Sequence, residues 1–119
     1  MSWDFILEDP NTGETIKYDR PMPLFGGTYQ VGGTTTAEFN ITYNYSKHYR
    51  RVMGGGGISD IYGMTGRDSM PILLEAMSKL GDDRDISNYW NPTEGNAKHA
   101  LRTLAFMAAI SPEGVWKVL

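Results

Sequence analysis

Up to Tyr43, residues 36–46 alternate between apolar and polar positions: Ala37, Phe39, Ile41 and Tyr43 fall on one side, Glu38, Asn40, Thr42 and Asn44 on the other. Successive side chains of a strand face opposite sides of its sheet, so the pattern predicts a half-buried strand, read as the central one. Trp3, Phe5 and Leu7 set against Asp4, Ile6 and Glu8 predict a first strand. Asp9-Pro10-Asn11-Thr12-Gly13 is turn chemistry, because Pro presets φ, Asn and Asp close local bonds, and Gly accepts positive φ. Residues 15–18 then return, making a hairpin of 3–18. In Arg20-Pro21-Met22-Pro23 two residues lack a backbone donor, which predicts an irregular connection along an edge. Residues 27–31 read as a third strand, and Gly32-Gly33 as a tight primed turn into the strand at 36. The result is about four antiparallel strands, one face covered and one wet.

At Ser46 the period lengthens. Ser46 is read as the cap of a short helix carrying Tyr49, Val52 and Met53 at offsets of three and four, with Gly54 as its end. Residues 58–66 read as irregular, with one helical turn around Ile58, Ile61 and Tyr62. A longer helix is predicted from Asp68 or Ser69, with Pro71 tolerated in its first turn; Leu73, Ala76, Met77 and Leu80 form its apolar face and Gly81 stops it. Residues 82–85 read as a solvated loop. A second long helix of about 17 residues starts at a Thr93 cap with Glu94 in the positive first turn. Its stripe is Ala97, Ala100, Leu101, Leu104, Ala105 and Ala108, widened by Phe106, Met107 and Ile110, and Pro112 ends it. Residues 115–119 add a final strand or pack as a tail.

Strands first and helices later predict an α+β fold. It has an N-terminal antiparallel sheet of about four strands, with two longer helices and a short one packed on one face. The 119 residues suit a single domain, β-rich over 1–45 and helical over 46–119, in which Gly54–Gly57 is an internal loop. At this size roughly two-thirds of the unfolded chain's surface is buried, enough for a core without staples.

Composition narrows the chemistry. There is no cysteine, which removes disulfides, thiolate metal sites and a cysteine nucleophile, and two histidines are too few for a histidine-based metal site. A net charge of −3 is too balanced for general DNA binding. No apolar run reaches the roughly 20 residues that span a bilayer, and the opening Met1-Ser2-Trp3-Asp4 reads as a cytosolic start. Carboxylates are scattered singly, and no Ser or Thr has a placed His, so the expectation is no enzyme and no cofactor.

Four stretches are candidates. Tyr43, Asn44, Tyr45, His48, Tyr49, Arg50 and Arg51 crowd into nine residues; aromatic faces stack bases or cations, and paired Arg binds phosphate or carboxylate. They equally suit a core plus a solvated helix face. Gly54–Gly57 could let backbone donors approach a phosphate, yet it lacks the Gly-Lys-Ser/Thr ending, so a loop that orders on meeting a partner is the better reading. Tyr62, Thr65, Arg67 and Ser69 precede or open a helix, where free amides and the helix dipole attract anions, or where they make an ordinary turn and cap. Tyr89, Trp90, Asn91 and Asn96 flank another helix start; Trp90 reads as a core plug, or with its neighbours as an interface hot spot. His99, beside Lys98 and Arg102, reads as a solvated or partly buried helix residue.

Five blocks in order add a resemblance: Asn-Ile-Thr-Tyr-Asn-Tyr-Ser (40–46), Ile-Tyr-Gly-Met-Thr-Gly-Arg-Asp-Ser-Met-Pro (61–71), Leu-Gly-Asp-Asp (80–83), Tyr-Trp-Asn-Pro-Thr-Glu-Gly-Asn-Ala-Lys (89–98) and Ser-Pro-Glu-Gly-Val-Trp (111–116). Together they resemble a family of small proteins encoded by bacteriophages and prophages, over about residues 27–116. The resemblance carries no activity and no site residues, and members often have a shorter connection at the four glycines. It implies an accessory protein in the host cytoplasm that binds and inhibits a host protein stoichiometrically, as a dimer or larger symmetric assembly. Two other readings stand beside it. One is a sponge for a phosphate-bearing nucleotide held between 43–51 and 65–69; the other is a structural virion component.

Overall fold

The computed structural model describes residues 1–22 and 34–119; the strand expected at 27–31 and the Gly32-Gly33 turn lie outside them. Strand β1 (Ser2–Glu8) forms where alternation predicts it, with Phe5 and Leu7 fully buried. After it come β2 (Lys17–Met22), β3 (Thr34–Thr36) and β4 (Glu38–Thr42), then helices α1 (Ser46–Met53), α2 (Gly66–Ser78) and α3 (Glu94–Ile110), and last β5 (Val115–Val118). The fold is α+β, as the order of elements predicts.

The centre of the main sheet is β1, not β4. Its order is β4–β1–β5, antiparallel throughout. Phe5 stands opposite Phe39 on one side and Val118 on the other, while Leu7 stands opposite Trp116. The segment at 115–119, open between strand and tail, is thus the sheet's third strand. The four N-terminal strands are divided, because β2 pairs with β3 in a separate ribbon. The expected hairpin survives only at its turn, through a Glu8–Thr15 bridge and the Ile16 amide on the Leu7 carbonyl at 2.9 Å. Pro21, expected in an irregular connection, lies inside β2. A two-stranded ribbon gives each strand an outer edge, where a missing donor is tolerated.

The wet face is also less wet than alternation implies. Asn40 and Thr42 are buried, whereas Tyr43 is 38% exposed. Asn40 Nδ2 donates to Ser2 Oγ at 2.7 Å and Asp4 Oδ1 at 2.9 Å, so its amide is satisfied across the strand pair. Thr42 Oγ1 accepts from the Asn44 amide and caps a 3₁₀ turn at Tyr43–Tyr45 that runs straight into α1. Ser46 is therefore not the cap; its hydroxyl donates back to the Tyr43 carbonyl at 2.6 Å. A second 3₁₀ turn, Gly57–Ile61, buries Ile58 and Ile61 and leaves Tyr62 exposed.

Helix α2 begins at Gly66, two residues before the expected start, because Thr65 Oγ1 accepts from the Asp68 amide at 3.1 Å. Helix α3 follows its pattern closely. Thr93 caps it, all six stripe positions and Met107 are buried, and Phe106 and Ile110 stay partly exposed. The helices' inner faces share one cluster with Phe5, Leu7, Phe39, Ile41 and Trp116. No helix among the described residues is long and apolar enough to cross a membrane.

Candidate functional site

The turn between β4 and α1 meets the loop that enters α3. Asn44 Nδ2 donates to the Trp90 carbonyl at 2.8 Å, and the Tyr45 hydroxyl donates to the Tyr89 carbonyl. His48 Nε2 lies 2.7 Å from the Pro92 carbonyl, and since a carbonyl only accepts, Nε2 carries the proton. Arg51 pairs with Glu94 at 2.8 Å, and the Tyr89 hydroxyl donates to the Asn40 carbonyl at 2.9 Å. Two of the expected clusters are thus one. Arg50 is exposed outside these contacts.

The loop itself is braced from within. Asp85 Oδ1 accepts from the Ser87 amide, the Ser87 hydroxyl and the Asn88 amide, and Oδ2 accepts from Asn91 Nδ2. The Asn91 and Ser87 bonds hold the Asp85 carboxyl below the usual range. Buried Asn96 donates to the Asn88 and Asn91 carbonyls and accepts from the Asp85 amide. Residues 82–84 are an exposed loop as expected, while Asp85, at its end, is the hub of this scaffold.

On that scaffold the aromatic rings run from core to surface. Tyr49 and Tyr45 meet edge-on at 6.1 Å, Tyr45 and Tyr89 at 5.7 Å, and Tyr89 and Trp90 at 5.2 Å. Tyr45 and Tyr49 are fully buried, and burial raises both phenol pKa values above the ordinary 10. Trp90, expected as a core plug, is 48% exposed. Trp116 holds that place instead, with its Nε1 donating to Ser69 Oγ at 2.8 Å. At the surface Trp90 shares its loop with Ile86, and Tyr43 packs edge-on against Trp3 at 4.7 Å.

Thr65, Arg67 and Ser69 form a separate group against the C-terminal segment, and Tyr62, ahead of them in the chain, is exposed. The Gly66 and Arg67 amides donate to the Gly114 and Pro112 carbonyls, the Asp68 amide to Thr65 Oγ1, and the Ser69 amide to the Thr65 carbonyl. Arg67 pairs with Glu113, and Ser69 is buried. This helix start has no amide left for an anion, contrary to expectation. The glycine loop is likewise occupied by its own chain. The Gly56 amide donates to Asp60 Oδ2 at 3.0 Å, and a Cβ on Gly55 or Gly56 would stand 2.6 Å from that carboxylate. A phosphate would have to displace a carboxylate there.

The sequence reading missed a group on the other side of the loop. Two neighbouring hollows of about 200 and 180 Å3 lie between the loop and α3, and Arg84 and His99 line both. Lys98 and Arg102 border the smaller. The only signal was the spacing of Lys98 and Arg102, one helical turn apart beside His99. Burial, and then the charges of Arg84 and Arg102, push His99 down to about 4. The unfolded chain therefore binds this proton first, between about pH 6.5 and pH 4. Stability is at its full value above pH 6.5 and falls as the pH drops through that window. The ring keeps some solvent contact, so screening limits the loss to about 1–2 kcal/mol. Asp82 and Asp85, both held low, lose stability in the same direction at still lower pH. Melting temperature measured from pH 7 to pH 4 should fall, and His99→Gln should flatten the fall above pH 4.5; an unchanged slope in the variant would assign the effect elsewhere.

No family model matches the chain, and neither does any curated protein or solved structure.

Proposed function

We propose that the chain is a non-catalytic binding protein that engages a second protein through the surface around Trp90, with Tyr43, Asn44, Ile86 and Tyr89 beside it. The observation that carries this reading is a half-exposed Trp on a loop whose backbone is already bonded in place. Tryptophan and tyrosine dominate interface hot spots, and a loop ordered before binding loses little further entropy when it binds. The resemblance to phage-encoded proteins supports a host protein as the partner, bound stoichiometrically in the host cytoplasm and thereby inhibited. In this reading no cofactor takes part.

The test compares wild type with Trp90→Ala and, as a control of similar exposure on α3, Phe106→Ala. Host proteins retained by the immobilised chain are identified, purified and titrated against all three forms. Trp90→Ala should weaken the complex about 30-fold, equivalent to about 2 kcal/mol, with Phe106→Ala near wild type. Equal losses in both variants, or no saturable complex, would sink the proposal. A dimer that depends on Trp90 in light scattering would put a second copy of the chain there instead.

A further inference from the structure

We propose that the cleft between the 82–89 loop and α3 binds a small phosphate ester, its phosphate held by Arg84, Lys98 and Arg102. This goes beyond the Trp90 surface: it rests on the cations Arg84, Lys98 and Arg102, and only Ile86 and Tyr89 belong to both. The two hollows, about 180 and 200 Å3, share Arg84 and His99 in their linings and are unlike in character. The smaller is bordered by the three cations, with Asp82 at its rim; the larger is walled by Tyr45, Ile86, Tyr89 and Asn96, with Asp85. Each alone is small for an organic ligand, and a ligand that reached past Arg84 and His99 into both would occupy a site at the lower end of the ordinary range, about 300 Å3. A ligand with one dianionic end and one weakly polar end matches that division.

The charges support the assignment. Arg84 and Arg102 have no carboxylate partner within 4.0 Å among the described residues. The nearby acids are engaged elsewhere: Asp83 accepts from the Gly95 amide, and Asp85 accepts from Ser87, Asn88 and Asn91. Asp82 pairs with Lys98 at 2.8 Å but is 88% exposed, so an incoming phosphate can displace it. The backbone holds Arg84 against the helix, because the loop backbone lies so close to Gly95 that a Cβ there would stand 2.5 Å from the Arg84 amide nitrogen. Two guanidinium groups and an ammonium around one hollow are only partly offset by the single Asp82 carboxylate, and the guanidinium fork matches phosphate geometry. The helix start contributes nothing here, since the Gly95 and Asn96 amides already donate to Asp83 and Thr93. The groove of about 440 Å3 between α1 and α2 lacks such a group; its Glu75 and Lys79 pair with each other, and Asp60 serves the glycine loop.

The test titrates the whole chain, at low salt, with adenosine, guanosine and uridine monophosphates, glucose 6-phosphate, adenosine and inorganic phosphate, by calorimetry and melting shift. At least one ester should bind saturably below about 1 mM and raise the melting temperature, with inorganic phosphate and adenosine at least tenfold weaker than their ester. Arg84→Ala and Arg102→Ala, both exposed and so expected to fold, should each weaken that ester about tenfold or more, while Arg67→Ala leaves it unchanged. The His99 imidazole resonances should move on titration with the ester and not with adenosine. No saturable ester, adenosine equal to its phosphate, phosphate equal to its ester, or an equal loss in Arg67→Ala would each overturn the proposal.

Discussion

Trp116→Ala is expected to lower the unfolding free energy by about 3–5 kcal/mol, a large part of the roughly 5–15 kcal/mol a domain of this size has. The indole is 1% exposed and stands edge-on to Phe5 at 6.2 Å. It fills the space between β1, to which its strand pairs through Leu7, and the start of α2. Its backbone also ties this strand to the segment before α2, with the Trp116 amide on the Met64 carbonyl and the Gly63 amide on the Trp116 carbonyl, both at 2.9 Å. Truncation removes the transfer energy of the ring and leaves a cavity that two rigid elements cannot close. Ser69→Ala isolates the polar part. It strands the indole N–H without a partner and should cost about 1–2 kcal/mol. Trp90→Ala, by contrast, should cost under about 1 kcal/mol. Urea unfolding followed by far-ultraviolet circular dichroism measures all three, and a larger loss at Trp90 than at Trp116 would contradict this packing.

That contrast shows where the sequence is readable. Periodicity located β1, β4, α1, α2 and α3, because each element's buried positions repeat at its own period and the signal is local. What periodicity lacks is any measure of which elements meet. Trp90 and Trp116 both stand near apolar and turn residues, and only strand pairing with β1 carries Trp116 inward. Likewise β4 has the cleanest alternation yet lies at an edge, since the partner on the far side of β1 comes from the other end of the chain. Cap errors have a different cause. Ser46 is an ordinary capping residue, and α2 was expected from Asp68 or Ser69, but the Thr42 and Thr65 side chains, upstream of both, accept from the first amides.

The site was legible to a similar degree. The crowding of Tyr, Asn, His and Arg over 43–51 marked a real junction, though most of its polar atoms brace the loop and leave Trp90, Tyr43 and Ile86 as the outward features. Arg84 stands in the loop and the Lys98–Arg102 pair on α3, so no single periodicity relates them. Only the close approach of the loop to the helix does.

That approach makes Gly95 the position where a single methyl group should matter most. Helix propensity alone predicts that Gly95→Ala, in the first turn of α3, stabilises the protein by up to about 1 kcal/mol. Packing predicts the opposite sign. The added Cβ would lie 2.5 Å from the Arg84 nitrogen, 2.6 Å from the Asp83 carbonyl carbon and 2.8 Å from the Arg84 Cα, all backbone atoms with no rotamer to swing away. The loop would have to lift, breaking the Gly95 amide bond to Asp83 and straining the Asp85 amide bond to Asn96. Overpacking of this kind costs about 3 kcal/mol, so the net loss should be about 2 kcal/mol. Gly81→Ala is the control, because its nearest neighbours are side-chain atoms at 3.6 Å and beyond. It should change stability by less than about 1 kcal/mol. Equal melting temperatures for Gly95→Ala and wild type would mean that the loop does not rest on the helix. Arg84 would then not be held beside Lys98 and Arg102, and the phosphate-ester cleft would lose its geometric basis along with the bracing behind Trp90.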